Sequence, residues 1–320
     1  MTSVLARSLL DGDRTALAKA ITLVESTRRD HNLEAEALIN AVLPATGGSL
    51  RIGVTGSPGV GKSTFIDALG SLVIAEGRRM AVLAVDPSST SGGGSILGDK
   101  TRMVKLAASP DVFIRPSPSS GNLGGIGRRT RDAVLLCEAA GFDTVLVETV
   151  GVGQSETTVA TVTDLFLLLL APGGGDDLQG IKRGVMELAD VVAINKADGN
   201  LTELAQRTAG DYRLALQLVR PKRPGVETPV LTCSSTEGGG LEEVWSTLRS
   251  RHQAMANDGG LDALRQSQAI TQLEDEVRAA LYVMASENPN FATARQELEQ
   301  AIIDRQISVS AAARKLLELL

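Results

Sequence analysis

The stretch Gly56-Ser57-Pro58-Gly59-Val60-Gly61-Lys62-Ser63 constrains the fold of this chain more than any other. It fits G-x-x-x-x-G-K-[ST] in full. The run Arg51–Thr55 precedes it and a helical pattern over Lys62–Glu76 follows, the strand–loop–helix setting that the motif requires. Glycines let backbone N–H groups face phosphate oxygens, and a helix starting near Lys62 adds its positive dipole end. Lys62 then reaches the β- and γ-phosphates, the Ser63 hydroxyl is placed to ligate Mg²⁺, and Thr64 joins the nucleotide-binding set. The bland alternative is a Gly-rich turn with no ligand. Motif and setting together argue against it.

Around this motif, short β-branched runs alternate with helical segments. Leu50–Thr55, Met80–Val85, Thr144–Val147, Asp164–Ala171, Val191–Ile194 and Pro229–Thr232 read as buried strands. Lys62–Glu76, Arg129–Ala140, Leu201–Val219 and Leu241–His252 read as helices. This alternation predicts an α/β fold: a P-loop NTPase whose mostly parallel sheet is covered by helices on both faces. Residues 1–45 read as an N-terminal helical extension, with Leu5, Leu9, Leu17, Ile21 and Val24 at helical spacing. Residues 46–257 form the nucleotide-binding domain, opening on Thr46-Gly47-Gly48-Ser49. Residues 258–320 are helical again. There Ile270, Leu273, Val277, Leu281 and Met284 make a narrow apolar seam. Asn288-Pro289-Asn290 interrupts it, and a last helix is expected to carry Ile303, Ile307, Ala311, Leu316 and Leu320.

Composition removes several classes of function. The net charge is −6 and aromatic residues are 2% of the chain. Such a chain is poorly suited to neutralising phosphates or stacking bases, so no nucleic-acid partner is expected. Two cysteines, Cys137 and Cys233, and two histidines, His31 and His252, form no close pair. That excludes a disulfide framework and a C-x-x-C zinc site, and points to oxygen donors and Mg²⁺ for any ion. The longest apolar run, Leu165–Ala171, is far short of the ~20 residues a spanning helix needs. Asp11 and Asp13 break up an N-terminus without a signal-like apolar core. No membrane partner is expected, and the expected location is the cytoplasm.

Two further segments select the nucleotide. Asn195-Lys196-Ala197-Asp198 follows the strand Val191–Ile194 and resembles the N-K-x-D motif of GTPases. In that motif the Asp carboxylate accepts hydrogen bonds from guanine N1–H and the exocyclic amine. Adenine offers no matching donor pair, and a site built around such partners rejects a ligand lacking them. Thr144–Gly151 resembles the D-x-x-G of GTPases with Glu148 in place of Asp. Glu148 can hold Mg²⁺ through water, and the Gly151 N–H can contact the γ-phosphate. Ras-like proteins keep a water-positioning Gln after that glycine. Here the position is Val152, with Gln154 two residues on, so intrinsic hydrolysis is expected to be slow unless a partner reshapes the site. Ser234 and Ser235 fall where many GTPases approach guanine O6 with backbone N–H groups.

These motifs occur beside Ala84-Val85-Asp86-Pro87-Ser88-Ser89, the run 93–103 (GGSILGDKTRM), the run 147–156 (VETVGVGQSE) and the run 175–182 (GDDLQGIK). Together they closely resemble the MeaB/ArgK family, the methylmalonyl-CoA mutase-associated GTPases, over nearly the whole chain. The resemblance implies a GTP/GDP- and Mg²⁺-dependent GTPase of the signal-recognition and metallochaperone type. It implies a homodimer joined through a C-terminal helical dimerisation arm. Its implied partner is an adenosylcobalamin-dependent mutase, most simply methylmalonyl-CoA mutase. The family gates delivery and release of that enzyme's cofactor and protects it from inactivation. Asp86, Asp99 and Glu148 match the family's Mg²⁺ and switch carboxylates. Asp176, Gln179 and Lys182 fall in a loop that responds to the mutase. Nothing in the chain looks like a cobalamin-binding module, so no cobalamin is expected on it.

Read from the residues alone, several of these positions stay open. Asp86 can cap the turn before Pro87, and Asp99 serves equally as a helix N-cap or a ligand. Asp176 and Lys182 would be solvated loop residues. Packing within one subunit is the alternative use of the C-terminal seam. A GTP-dependent metallocentre-insertion protein would share the fold but would be expected to carry His-rich or paired-Cys sites. An ATP-using transport-related kinase is disfavoured by Asn195-Lys196-Ala197-Asp198, and a non-catalytic scaffold leaves the phosphate motif without a purpose.

Overall fold

A computed structural model describes residues 2–86, 103–118, 123–149, 155–173, 183–219, 221–223 and 225–319. Two compact units emerge, Met1–Arg265 and Gln266–Leu320. The first is built on seven strands among the described residues: β1 (Leu50–Thr55), β2 (Met80–Asp86), β3 (Val112–Pro118), β4 (Thr144–Thr149), β5 (Leu165–Leu170), β6 (Val191–Ile194) and β7 (Val230–Thr232). They pair in the order β3-β2-β4-β1-β5-β6-β7, every pair parallel. Parallel strands need crossovers, so the central strands are buried on both faces and their sequences run largely apolar without alternation. Leu165–Leu170 shows this, with all six residues buried.

The pleat sends alternate side chains to opposite faces. On one face Ile52, Val54, Leu146 and Leu167 pack against Phe65, Ile66 and Leu69 of α4 (Lys62–Ala75) and against Val244, Trp245 and Leu248 of α10 (Leu241–Asn257). On the other, Val145, Val147 and Phe166 meet the N-terminal helices α1 (Thr2–Leu10), α2 (Arg14–Val24) and α3 (Arg29–Val42) and also α6 (Leu123–Ala139) and α7 (Ser155–Ala160). The short α5 (Val104–Ala107) precedes them in the chain. Further along this face, Leu168, Val192 and Ile194 are covered by α8 (Arg183–Leu188) and α9 (Thr202–Gln217), which contributes Ala205, Ala209 and Tyr212. The expected helix-covered parallel sheet is therefore present.

Two expectations need correction. β3 is a seventh strand beyond the six expected, and it carries Pro116 and Pro118. Proline lacks the N–H that a central ladder needs, but an edge strand tolerates it, and β3 is an edge, paired only with β2. The single last helix is two: α12 (Pro289–Ile303) and α13 (Val309–Leu317). Arg305 takes a left-handed φ of 57° between them, and the Ser308 hydroxyl caps α13 by accepting from Ala311 N. Ile303, Ile307 and Ala311 keep a spacing of four across that turn, which hides the break from a periodicity reading.

A feature of the amino-terminal edge of the sheet went unread. Asp143, Asp164 and Asp190 each precede a strand, and each carboxylate accepts an N–H at the start of a neighbouring strand. Asp143 takes Arg79 N (3.2 Å), Asp164 takes Arg51 N (2.9 Å) and Asp190 takes Phe166 N (2.8 Å). Cations neutralise all three: Arg78 on Asp143, Arg265 on Asp164, and Lys222 with Arg223 on Asp190. Burial pushes the Asp164 carboxyl up. Its contacts with His252 and Arg265 and the Arg51 N–H outweigh that and hold it at about 2.

In the second unit, α11 (Gly260–Glu287) continues from the first, followed by α12 and α13. Asn288 caps α12 through Asn290 N at 3.0 Å, and Ala285, Phe291 and Ala312 are buried. Within this chain the seam residues Ile270, Leu273, Val277, Leu281 and Met284 are exposed, between 48% and 67%. Among the described residues no helix is long and apolar enough to cross a membrane.

Candidate nucleotide site

The predicted nucleotide residues converge at the carboxyl ends of β1, β6 and β7, where ligands bind in open parallel sheets. β1 ends at Thr55 and the chain turns sharply through residues 56–61 into α4. Gly56 is obligatory there: a Cβ would lie 2.3 Å from the Leu169 carbonyl oxygen of the neighbouring strand. α4 begins at Lys62 with no side-chain cap at Gly61, and its first turn, Lys62 to Thr64, follows directly on the phosphate loop. Lys62 is buried and turns its ammonium onto the Gly56 carbonyl at 2.7 Å and the Ser57 carbonyl at 3.3 Å. Ser63 is half-buried and Thr64 exposed on that same turn.

The Asn195 side chain, 1% exposed, joins three segments. Its Nδ2 donates to the Val60 carbonyl (2.9 Å), and its Oδ1 accepts from Ser235 N (3.1 Å) and Ser235 Oγ (2.7 Å). Lys196, at a left-handed φ of 57°, donates from Nζ to the Gly59 carbonyl at 2.7 Å. The Asp198 carboxylate accepts from the Ser234 hydroxyl and from the Thr236 hydroxyl, the latter at 3.0 Å. Thus Gly56, Ser57, Gly59, Val60, Lys62, Asn195, Lys196, Asp198, Ser234 and Ser235 belong to one constellation of loops. Pro58 lies in the same turn. Cys233, beneath it, is buried, and burial pushes its thiol up to about 12.

Glu148 stands next to last in β4, opposite Val54, and is 7% exposed. It shares the face of Leu146, towards α4, while Thr149 turns the other way and donates to the Thr55 hydroxyl at 2.8 Å. That bond joins the strand ends bearing the phosphate loop and Glu148. The Asp86 backbone reaches the same end of the sheet, one residue past the Val85↔Thr149 pair. Its side chain is outside the description, as are Asp99, Gly151, Val152, Asp176, Gln179 and Lys182. Among the described residues no group of three or more His, Cys, Asp or Glu could hold a metal ion.

Two contacts at this end of the sheet lie beyond the sequence reading. Thr149–Thr55 carries no sequence signal, since hydroxyls at strand ends are common. Thr236 had one: it closes a run of three hydroxyl residues, Ser234-Ser235-Thr236, of which only the first two were singled out.

Comparison with known proteins identifies the family. The family described as methylmalonyl Co-A mutase-associated GTPase MeaB matches residues 17–290. A protein named probable GTPase from Mycobacterium tuberculosis is 50% identical over 315 residues, 98% of this chain and 94% of that one. The GTPase ArgK of Escherichia coli is 46% identical over 316 residues, again 98% and 94%. A crystal structure titled LAO/AO transport system kinase superposes with a TM-score of 0.80 at 38% identity, covering 99% of this chain and 97% of that one.

Proposed function

The chain belongs to the MeaB family of methylmalonyl Co-A mutase-associated GTPases, and on that premise we propose that it is a GTP-hydrolysing chaperone of an adenosylcobalamin-dependent acyl-CoA mutase. The observation that supports the guanine assignment is the joint at Asn195, whose side chain bonds Val60 of the phosphate loop and Ser235 of the loop whose hydroxyls hold the Asp198 carboxylate. Lys62 and the first-turn N–H groups of α4 hold the β- and γ-phosphates. Asp198 takes guanine N1–H and the exocyclic amine, and backbone N–H groups at Ser234 and Ser235 approach O6.

A hard cation suits the donors on this face: the Ser63 hydroxyl and the buried Glu148 carboxylate offer only oxygen. Asp86 and Asp99 complete that set in this reading. Mg²⁺, when bound, neutralises charge building on the β- and γ-oxygens. The Gly151 N–H contacts the γ-phosphate. Val152 cannot orient water, so hydrolysis is slow until the mutase reshapes the site.

In this reading GTP and Mg²⁺ order the switch loops, and hydrolysis releases them. The mutase must contact the two states differently to feel the change, and Asp176, Gln179 and Lys182 are assigned to that contact. Cobalamin loading and release are thereby gated, with the cobalamin held by the mutase and not by this chain. The exposed seam of α11 supports a homodimer through the C-terminal arm. The cytoplasm is the proposed location.

The test is steady-state GTP hydrolysis by the full chain, alone and with the same organism's methylmalonyl-CoA mutase, with Lys62→Ala as the blank. Slow turnover that rises on adding mutase is expected. Turnover indifferent to the mutase, with no complex on gel filtration, would overturn the chaperone assignment.

A further inference from the structure

The guanine-reading carboxylate is held by more than one hydroxyl. The terminal torsion of an aspartate is broad and roughly two-fold, so packing alone does not fix the plane of its carboxylate. Hydrogen bonds must do so. Ser234 Oγ donates to Asp198 Oδ2 and in turn accepts the Glu237 N–H at 3.0 Å. Thr236 Oγ1 lies 3.0 Å from the same Oδ2 and 3.1 Å from Ser234 Oγ. One hydroxyl hydrogen therefore has two acceptors within reach.

We propose that Thr236 is a positioning residue for guanine selectivity, its hydroxyl alternating between Asp198 and Ser234. This inference rests on the assignment of Asp198 to the guanine base. A carboxylate offers about four acceptor sites, two on each oxygen. Without base, Ser234 and Thr236 occupy both sites on Oδ2. With guanine bound, N1–H and the exocyclic amine need one site on each oxygen. Thr236 then turns its hydrogen to Ser234 Oγ and vacates a site on Oδ2. Ser234 still donates to Asp198, and its own oxygen accepts from Glu237 N–H and Thr236 O–H. Every donor keeps an acceptor in both arrangements. The chain Thr236 to Ser234 to Asp198 also polarises the Ser234 hydroxyl towards the carboxylate.

The loop geometry serves this arrangement. Ser234 N donates to the Gly239 carbonyl at 2.8 Å and Gly238 N to the Ser234 carbonyl at 2.9 Å, closing a tight turn that presents residues 234–236 to Asp198. Thr236 is itself exposed. Removing its hydroxyl therefore changes folding stability little, and an effect on binding can be read cleanly.

The experiment measures GDP and IDP affinities of the full chain by competition against a fluorescent guanine nucleotide. IDP keeps N1–H but lacks the exocyclic amine, so the GDP-to-IDP ratio reports the amine's contact with Asp198. Thr236→Val keeps the β-branched shape and removes the hydroxyl. It is expected to weaken GDP about threefold to tenfold, the range of one net hydrogen bond, and to lower the GDP-to-IDP ratio. Thr236→Ser is expected to restore both. Asp198→Ala should abolish the ratio. If Asp198→Ala abolishes it while Thr236→Val leaves it unchanged, the role of Thr236 is refuted and the base assignment stands. If Asp198→Ala leaves the ratio intact, the base assignment fails and takes this inference with it. Equal loss of GDP and IDP in Thr236→Val, with a lowered melting temperature, would show a structural role and also overturn the proposal.

Discussion

Asp164→Asn tests the amino-terminal edge of the sheet. The wild-type carboxylate is fully buried and both oxygens are engaged. Oδ1 accepts from Arg265 Nε at 2.8 Å, and Oδ2 accepts from an Arg265 terminal nitrogen at 2.8 Å and from Arg51 N at 2.9 Å. Either orientation of an asparagine amide would aim its NH₂ at one of these donors, and the Arg265 guanidinium would lose its counter-charge. Breaking a buried pair from one side costs about 3–5 kcal/mol. For a unit of this size that lowers the melting temperature by roughly 10 °C. Acid gives a second reading. The carboxyl titrates at about 2 in the fold against an ordinary 3.8. At about 1.4 kcal/mol per pH unit, that difference contributes about 2.5 kcal/mol. Because the folded value is the lower one, this stability is complete above pH 4 and disappears as pH falls through 2. Urea denaturation at pH 7, 4 and 2 should show a wild-type loss of that size, and Asp164→Asn should lack it. GDP affinity of the folded variant should be unchanged, since the proposed nucleotide residues lie at the other end of the strands. A variant that melts within about 2 °C of wild type, or keeps the full acid loss, would refute the reasoning.

Three further outcomes are expected. Gly56→Ala should abolish detectable GDP binding in a calorimeter, because its Cβ would sit 2.3 Å from the Leu169 carbonyl and displace the phosphate loop; binding within about twofold of wild type would contradict the packing. Gly240→Ala should displace the loop before α10, since a Cβ there meets the Thr232 carbonyl at 2.2 Å and φ is 72°, so GDP affinity should fall with a modest loss of melting temperature; an unaltered variant would count against the loop geometry. Native Cys233, buried with its thiol pushed up to about 12, should resist iodoacetamide at pH 8 and react once urea unfolds the chain, as mass spectrometry of the labelled peptide would show.

The parts of this fold that were legible in the sequence are those with local causes. Gly56 to Ser63 could be placed because a strand-to-helix turn around phosphate demands glycine, lysine and a hydroxyl in fixed order. The buried strands could be placed because parallel strands covered on both faces run apolar. Asn195 to Asp198 could be placed by its position after a strand. What escaped depends on partners distant in sequence. Asp164 looks like a turn residue until β1 brings Arg51 beside it and α11 brings Arg265. Thr236 looks like a solvated hydroxyl until the loop after β7 closes over Asp198. β3 carries two prolines that no local rule favours in a strand, and its place at the sheet edge makes them tolerable.

The three aspartates at the amino edge have a consequence for strand register. A parallel strand that slips by one residue sends every side chain to the wrong face, yet its ladder of evenly spaced hydrogen bonds can re-form. Apolar runs such as Leu165–Leu170 are nearly self-similar under such a slip, so their side chains discriminate poorly against it. The carboxylates supply the missing discrimination. Asp164 is matched to the N–H of Arg51 alone, and Asp190 to that of Phe166. Shifting either strand by one residue would leave a buried charge facing a carbonyl or a side chain. The leucine-rich strands of this sheet are thus keyed from one end, and the loops at the other end can rearrange without carrying the alignment of the strands with them.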